Sequence, residues 1–115
     1  MPVKILIQRK IKPGKEKELS KVVNELRSKS MHAQGFISGE TLQSIEDPAL
    51  YLVISAWKSL EDWKSWVDTQ ERKALEQEME TILAEPAKMS PYQIVTYFDL
   101  QAIVENMTDE ITVSE

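Results

Sequence analysis

The chain has 115 residues, 42% of them hydrophobic, a formal net charge of −5 and no cysteine. This length and apolar content suit a single domain with one core. The lack of cysteine excludes disulfides, thiolate metal ligands and thiol nucleophiles, and it fits a reducing compartment, so a cytoplasmic location is the expectation. No apolar run approaches the roughly 18 residues that span a bilayer. The charged start MPVKILIQRK is typical of a strand and not of a signal peptide.

Charge is distributed unevenly along the chain. Residues 1–29 hold nine Lys or Arg and three Glu, whereas residues 59–85 hold eight acids and three bases. The basic first segment has no interleaved aromatic residues, and the acidic remainder would repel phosphate, so nucleic-acid binding is disfavoured. We interpret these charges as solvated helix faces.

In the first half of the chain, the sequence predicts a strand, a helix, and then two strands that form a hairpin. Hydrophobic residues recur with strand or helix periodicity, and Gly and Pro separate the segments. The predicted elements are a strand over Val3 to Ile11, a helix after Pro13-Gly14 to about Met31, and antiparallel strands over Phe36 to Ile45 and Tyr51 to Trp57.

The second half predicts two helices, a strand and an acidic tail. Ser59 and Asp62 have the spacing of a capping box, so a helix begins here and runs to about Asp68. The remaining predictions are a helix from near Glu71 that ends before Pro86, a fourth strand over Tyr92 to Leu100, and an acidic tail or arm over 101–115. Residues 1–100 are therefore predicted to form the folded domain.

This order, β-α-β-β-α-(α)-β, is that of an α+β ferredoxin-like fold with a four-stranded antiparallel sheet. Helices would cover one face of that sheet and leave the other open. Apolar residues occur at both parities of every predicted strand, for example Ile5 with Leu6 and Val53 with Ile54. The sequence therefore predicts a homodimer that packs sheet against sheet and hides the open face, which makes a dimeric α+β barrel.

Three segments resemble the antibiotic-biosynthesis-monooxygenase-like family of dimeric α+β barrels. They are the first strand running into Pro13-Gly14, the segment Gly35-Phe36-Ile37, and above all the run WKSLEDWKSW from Trp57 to Trp66. The resemblance covers about residues 2–99. It implies cofactor-free oxidation, by O₂, of a small aromatic or quinol-type compound, with no cofactor bound.

The haem-degrading branch of that family is disfavoured. Its pattern has an Asn on the first strand, a Trp at the end of the third strand and an axial His on the later helix. Here Gln8 stands in place of the Asn and Trp57 matches the Trp. The His position falls near Leu75 or Glu76, and the chain's one histidine, His32, is elsewhere. Without an imidazole or thiolate at that place, haem lacks its usual axial donor.

Cofactor-free oxygenation needs a pocket that orients an electron-rich substrate, favours its anion and excludes water. The candidate catalytic residues are Trp57 and Gln8. The candidate substrate-binding residues are Trp63, Trp66, Arg72 and Tyr51, with Tyr92 and Tyr97 as weaker candidates.

Each candidate also has a structural interpretation, namely core packing for the tryptophans and surface exposure for Arg72 and Gln8. Two alternatives to an oxygenase therefore stay open. The first is a non-enzymatic small-molecule-binding or dimerisation module whose tryptophans fill the cavity. The second is an isomerase or lyase, which requires a general base that the sequence does not clearly supply.

Overall fold

The structure, a computed structural model, describes residues 1–96 and 99–106. Its four strands form one antiparallel sheet in the order β2-β3-β1-β4. The elements are β1 (Val3–Lys10), α1 (Glu16–Ser30), β2 (Phe36–Gln43), β3 (Leu50–Trp57), α2 (Leu60–Val67), α3 (Gln70–Ile82) and β4 (Lys88–Gln93). The predicted α+β ferredoxin-like fold is confirmed. Among the helices of the described residues, none is long and apolar enough to cross a membrane.

Side-chain caps set the starts of the two later helices. Ser59 Oγ accepts a hydrogen bond from the backbone N–H of Asp62 at 3.1 Å, as the capping-box spacing predicts. Thr69 Oγ1 accepts in the same way from the backbone N–H of Arg72 at 3.2 Å. These two caps fix where α2 and α3 begin. They therefore also fix the directions in which the aromatic residues of α2 and the charged residues of α3 project.

The fourth strand was predicted too far along the chain. It spans Lys88–Gln93 rather than Tyr92 to Leu100, and residues 99–106 are helical. Pro91 does not precede the strand but lies inside it, opposite Ile5. An edge strand tolerates this proline because one of its sides needs no ladder hydrogen bond. The predicted tail over 101–115 is described only to residue 106, and Tyr97 also lies outside the described residues.

The register assigns the strand residues to two faces. On the helix-covered face, Val3, Ile5, Ile7 and Arg9 of β1 are all buried. On the opposite side, which we call the outer face, Leu6 lies opposite Ile54 and Gln8 lies opposite Leu52. The outer face also carries Leu42, which is 44% exposed, and Tyr92, which is 55% exposed. Apolar residues therefore stand on both faces, as the sequence predicts.

The core beneath the helices has two parts. The aliphatic cluster consists of Ile11, Leu19, Val22, Leu75, Met79, Ile82 and Leu83. The aromatic cluster consists of Val3, Ile5, Ile7, Trp57 and Trp66, with the partly buried Phe36 and Trp63 packed against it. The two clusters occupy opposite ends of the helix-covered face, because β1 enters the sheet at Val3 and leaves it toward Ile11.

Candidate functional site

A pocket opens between the aromatic cluster and the helices. Its inner volume is about 70 Å³, and it is bounded by β1, β2, β3 and all three helices. Phe36, Trp57, Trp63 and Trp66 form the aromatic wall. The volume holds about five waters at roughly 10–15 Å³ each, and it lies below the ~300 Å³ at which drug-sized ligand sites begin.

Trp57 lies at the centre of the aromatic wall because the sheet register places it there. It ends β3, pairs with Val3 on one side and Phe36 on the other, and is 1% exposed. Its ring stacks on Trp66 with centroids 6.5 Å apart and meets Phe36 edge-on at 5.4 Å. Its indole Nε1–H donates to Ser55 Oγ at 3.1 Å, so this donor already has a partner.

The loop before β2 fixes the position of α2, which carries the other two tryptophans. Gly35 has φ of +84°, a conformation that favours glycine. A Cβ at this residue would collide with the side chain of Asp62 in α2. The carbonyl of Gly35 also accepts from the backbone N–H of Lys58 at 2.8 Å. These contacts hold the start of α2 against the loop and orient Trp63 and Trp66 toward the sheet.

Two buried arginines of the pocket lining form an ion cluster with Glu76. Arg9 Nη2 lies 2.7 Å from Glu76 Oε1, and Arg72 Nη2 lies 3.3 Å from the same oxygen. Arg9 is 3% exposed and Arg72 is 4% exposed. Arg72 Nη2 also approaches the sulfur of Met89 at 3.7 Å, which is a weak acceptor. Within the described residues, the buried Nε–H of Arg9 has no acceptor.

Burial opposes the charge on both guanidinium groups. It lowers the pKa of Arg9, and Glu76 partly offsets this by its charge and hydrogen bond. Burial also lowers the pKa of Arg72, where Glu76 raises it and the neighbouring Arg9 lowers it further. Arginine side chains are not deprotonated in proteins, so both guanidinium groups carry a positive charge at neutral pH. Two cations therefore share one carboxylate.

The structure brings four of the six predicted site residues together. Trp57, Trp63, Trp66 and Arg72 all line the pocket. Gln8 and Tyr51 do not. Gln8 is exposed on the outer face, in a shallow depression formed with Leu42 and other residues of the hairpin.

The two tyrosines among the described candidates also lie away from the pocket. Tyr51 packs against the aliphatic cluster, and its hydroxyl accepts from Gln43 Nε2 at 3.2 Å. Tyr92 lies on the outer face. Neither is placed to touch a ligand between the sheet and the helices.

Two charged residues of α3, Arg72 and Glu76, are less exposed to solvent than the sequence interpretation predicted. Arg72 was interpreted as a surface residue but is buried. Glu76 was assigned to a solvated face, whereas its side chain is 19% exposed and faces the two arginines.

Arg9 was not among the predicted site residues. The alternation of the strand could have identified it, because Arg9 continues the series of Val3, Ile5 and Ile7, which are buried at every second residue. A charged residue in such a series predicts a buried charge with a partner.

His32 is exposed at the end of α1 and lies outside the pocket. Within residues 1–96 and 99–106, no group of three or more His, Cys, Asp or Glu is placed to hold a metal ion. Among the described residues that line the pocket, Glu40 is the one acidic residue; it is exposed, and because it pairs with Ile54 its side chain lies on the outer face.

Comparison with known proteins places the chain in a family. The profile of the antibiotic biosynthesis monooxygenase family matches residues 2–78. No curated protein matches the chain. The chain belongs to the antibiotic biosynthesis monooxygenase family.

Solved structures share the fold at low sequence identity. A Nitrosomonas europaea protein described as a candidate antibiotic biosynthesis monooxygenase superposes with a TM-score of 0.77 at 19% identity, covering 84% of this chain and 92% of that one. Rv0793 from Mycobacterium tuberculosis gives 0.76 at 10% identity, covering 84% and 97%. SnoaB from Streptomyces nogalater, a cofactor-independent oxygenase, gives 0.75 at 10% identity, covering 83% and 94%.

Proposed function

We propose that this protein is a cofactor-independent monooxygenase that oxidises a small aromatic or quinol-type compound with O₂. One observation carries the proposal: a tryptophan-walled pocket ends at two buried arginines, on the fold of a family that includes monooxygenases. The aromatic wall suits a planar substrate, and the arginines suit the negative oxygen that such a substrate develops. The reaction balances for a quinol without an external reductant: one oxygen atom of O₂ replaces the hydrogen of an aromatic C–H, the other leaves as water, and the quinol becomes a hydroxyquinone.

Each part of the pocket has a role in this reaction. Trp57 and Trp66 hold the substrate ring flat, which fixes its reacting carbon relative to incoming O₂. The aromatic wall also excludes water from the reactive anion. The guanidinium groups stabilise negative charge on the substrate and on the oxygenated intermediate. The small inner volume favours a single-ring compound over a larger polycycle.

Oxygen uptake tests this function directly. The protein is dialysed against a chelator and given a panel of substituted hydroquinones and an anthrone, and O₂ consumption is followed by electrode. We expect uptake above the spontaneous rate for at least one compound. Trp57→Phe should reduce that uptake about tenfold, because the smaller ring positions the substrate poorly, while Tyr92→Phe on the outer face is the control. Uptake no faster than without protein, across the panel, would contradict the proposal.

A second candidate function is non-enzymatic binding of a small aromatic compound. The narrow pocket favours it, since Trp57, Trp66 and Phe36 already contact one another and the Trp57 N–H is already bonded. Tryptophan fluorescence separates the two functions when combined with the oxygen electrode. Quenching by a quinol without O₂ uptake would favour the binding module.

The outer face supports a homodimer as the working form. This face carries apolar side chains that are half-buried or exposed in the described part of the chain, namely Leu6, Leu42, Leu52, Ile54 and Tyr92. A second copy packed on this face would bury on the order of 800 Å² per partner, as in a typical stable complex. Light scattering should report a dimer for the wild type and a monomer for Ile54→Glu. A folded wild-type monomer at micromolar concentration would contradict the dimer.

A further inference from the structure

The backbone does not require a glycine at position 39. Of the chain's three glycines, Gly14 and Gly35 have positive φ, a conformation that favours glycine, and Gly39 does not. Gly39 lies inside β2, where a glycine loses more conformational freedom on folding than an alanine and packs no side chain. The strand therefore disfavours glycine at this position, and another property of the site has to account for it.

The surrounding residues leave room for a side chain at position 39. A Cβ on Gly39 would lie 3.6 Å from Cζ of Phe36, 3.7 Å from Cε2 of the same ring and 3.9 Å from the carbonyl oxygen of Ile54, all ordinary van der Waals distances. Gly35 differs, because a Cβ there collides with Asp62. Close packing therefore accounts for Gly35 and does not account for Gly39.

The sheet register directs the missing side chain into the pocket. Gly39 pairs with Ser55, and Ser55 pairs on its other side with the buried Ile5, so Gly39 belongs to the helix-covered face. Gly39 and Ser55 both line the pocket. A glycine inside a strand often marks a place where a ligand or another backbone approaches closely. The space above Gly39 is therefore part of the pocket, and a side chain at this residue would fill it.

The Gly39–Ser55 pair forms the floor of a trough across the helix-covered face. The pair lies between two larger cross-strand pairs that also line the pocket, Phe36–Trp57 and Thr41–Val53. Because β2 is an edge strand, the trough opens at the edge of the sheet. Its walls are mostly apolar, and Ser55 Oγ on its floor already accepts the indole N–H of Trp57. Such a trough suits a slim apolar group, since a polar group placed there would lose hydrogen bonds to water.

We propose that Gly39 determines the ligand specificity of the pocket by admitting a slim apolar substituent, such as a short alkyl chain, on the aromatic ring of the ligand. The inner volume of about 70 Å³ is far below the ~300 Å³ at which drug-sized sites begin. A ring that lies there therefore extends into the trough through its substituent. The inference rests on the proposed function for its ligand class, a phenol or quinol, and it adds the kind of substituent and the residue that admits it.

The test compares phenol with 4-propylphenol in calorimetric titrations at neutral pH. The two compounds share the ring and the hydroxyl group, so the ratio of their affinities reports the propyl chain alone. We expect the wild type to bind 4-propylphenol at least tenfold more tightly than phenol, because the chain leaves water for an apolar trough.

Three variants assign this preference to Gly39. Gly39→Val fills the trough and should weaken binding of 4-propylphenol about tenfold or more, while phenol affinity stays within about twofold. Gly39→Ala should weaken 4-propylphenol binding by a smaller factor, since it adds one methyl group. Ser38→Val places the same valine side chain on the exposed outer face and should change neither affinity appreciably.

Thermal denaturation without ligand separates a ligand site from a packing role. Gly39→Ala should raise Tm by about 2–5 °C, because alanine in a strand loses less conformational freedom than glycine and its Cβ meets no obstacle. The variant would then be more stable than the wild type and bind 4-propylphenol less tightly. A lower Tm for Gly39→Ala would assign the glycine to packing and overturn the inference.

Four binding results would also overturn it. They are equal wild-type affinity for the two compounds, no binding of either, the same loss for both compounds in Gly39→Val, and an equal loss in Ser38→Val. Oxygen uptake is measured separately. Preference for 4-propylphenol that depends on Gly39, without O₂ uptake from any quinol, would end the proposed function and leave this inference standing. Uptake from hydroquinone and propylhydroquinone that Gly39→Val leaves unchanged would do the reverse.

Discussion

The helix-covered face of the sheet has two ends that are built differently. At one end, the aliphatic cluster packs β1, α1 and α3 together, and Met79 at its centre is 0% exposed. At the other end, the aromatic cluster leaves a pocket between the tryptophans and the helices. Stacked and edge-on aromatic pairs hold their rings in fixed orientations, and the pocket lies beside those rings. The first end is a packed aliphatic core, and the second contains the pocket.

The ion cluster lies at the boundary between the two ends. Arg9 falls between Ile7 of the aromatic cluster and Ile11 of the aliphatic cluster, and Glu76 directly follows Leu75. The same three charged residues therefore have two neighbours, a close-packed core and an open pocket. Replacing them should affect both stability and binding, whereas changes deep in either cluster should affect one property alone.

The largest effect is expected for Glu76→Gln. This change removes the one anion and leaves two buried guanidinium groups facing each other, so we expect a loss of about 3–5 kcal/mol in the free energy of unfolding. Urea denaturation measures it, with Glu80→Gln on the exposed side of α3 as the matched control. The loss should shrink when Arg9→Met is also present, because only one cation then remains. An equal loss in both backgrounds would mean that the cluster does not act as a unit.

Met79→Ala should come next and should affect stability alone. Truncating this fully buried side chain removes apolar contacts and leaves a cavity, for which we expect a loss of about 2–5 kcal/mol. The affinity for a quinol, measured by tryptophan quenching, should stay within about twofold, because Met79 does not line the pocket. Met31→Ala, the same substitution at a residue 61% exposed, is the control. A parallel loss of affinity would show that the two ends are not independent.

Each end of the helix-covered face has a loop with a glycine, and the same substitution can be compared at the two positions. Gly14 and Gly35 both have positive φ, but a Cβ has open space at Gly14 and collides with Asp62 at Gly35. Gly14→Ala should cost about 1–2 kcal/mol from the left-handed backbone alone. Gly35→Ala should cost about 1 kcal/mol or more beyond that, since a neighbour must also shift. Thermal denaturation of both variants measures the difference, and equal losses would show that α2 yields freely at the aromatic end.

The order of elements and the aliphatic end were predictable from the sequence because both depend on local periodicity. On α3, Leu75 and Met79 repeat at helical spacing, and both are buried. The fourth strand was misplaced because Pro91 was interpreted as the residue that precedes it. Whether a strand tolerates proline depends on whether it lies at a sheet edge, and that is a tertiary property.

The pocket was predictable only in part, because it depends on the sheet register. The sequence shows that Gln8 and Ile7 point to opposite faces, but which face Trp57 takes follows from its pairing with Val3. That pairing is a long-range contact that no local pattern encodes. Burial of Arg72 is likewise decided by Arg9 and Glu76, two residues far apart in the chain that meet only in the folded structure.

The smallest effect is expected at Ser55, which holds the indole of Trp57 in place. Ser55→Ala removes the acceptor of the Trp57 N–H, and an unsatisfied buried donor costs about 1–3 kcal/mol. Ser55 lines the pocket, so water in the pocket can replace its oxygen, and we expect the free energy of unfolding, measured by urea denaturation, to fall by about 1 kcal/mol. Ser38→Ala on the exposed outer face should change stability by less than about 0.5 kcal/mol. A loss above about 3 kcal/mol in Ser55→Ala would mean that water does not reach the indole, and the aromatic end would then be as closed as the aliphatic one.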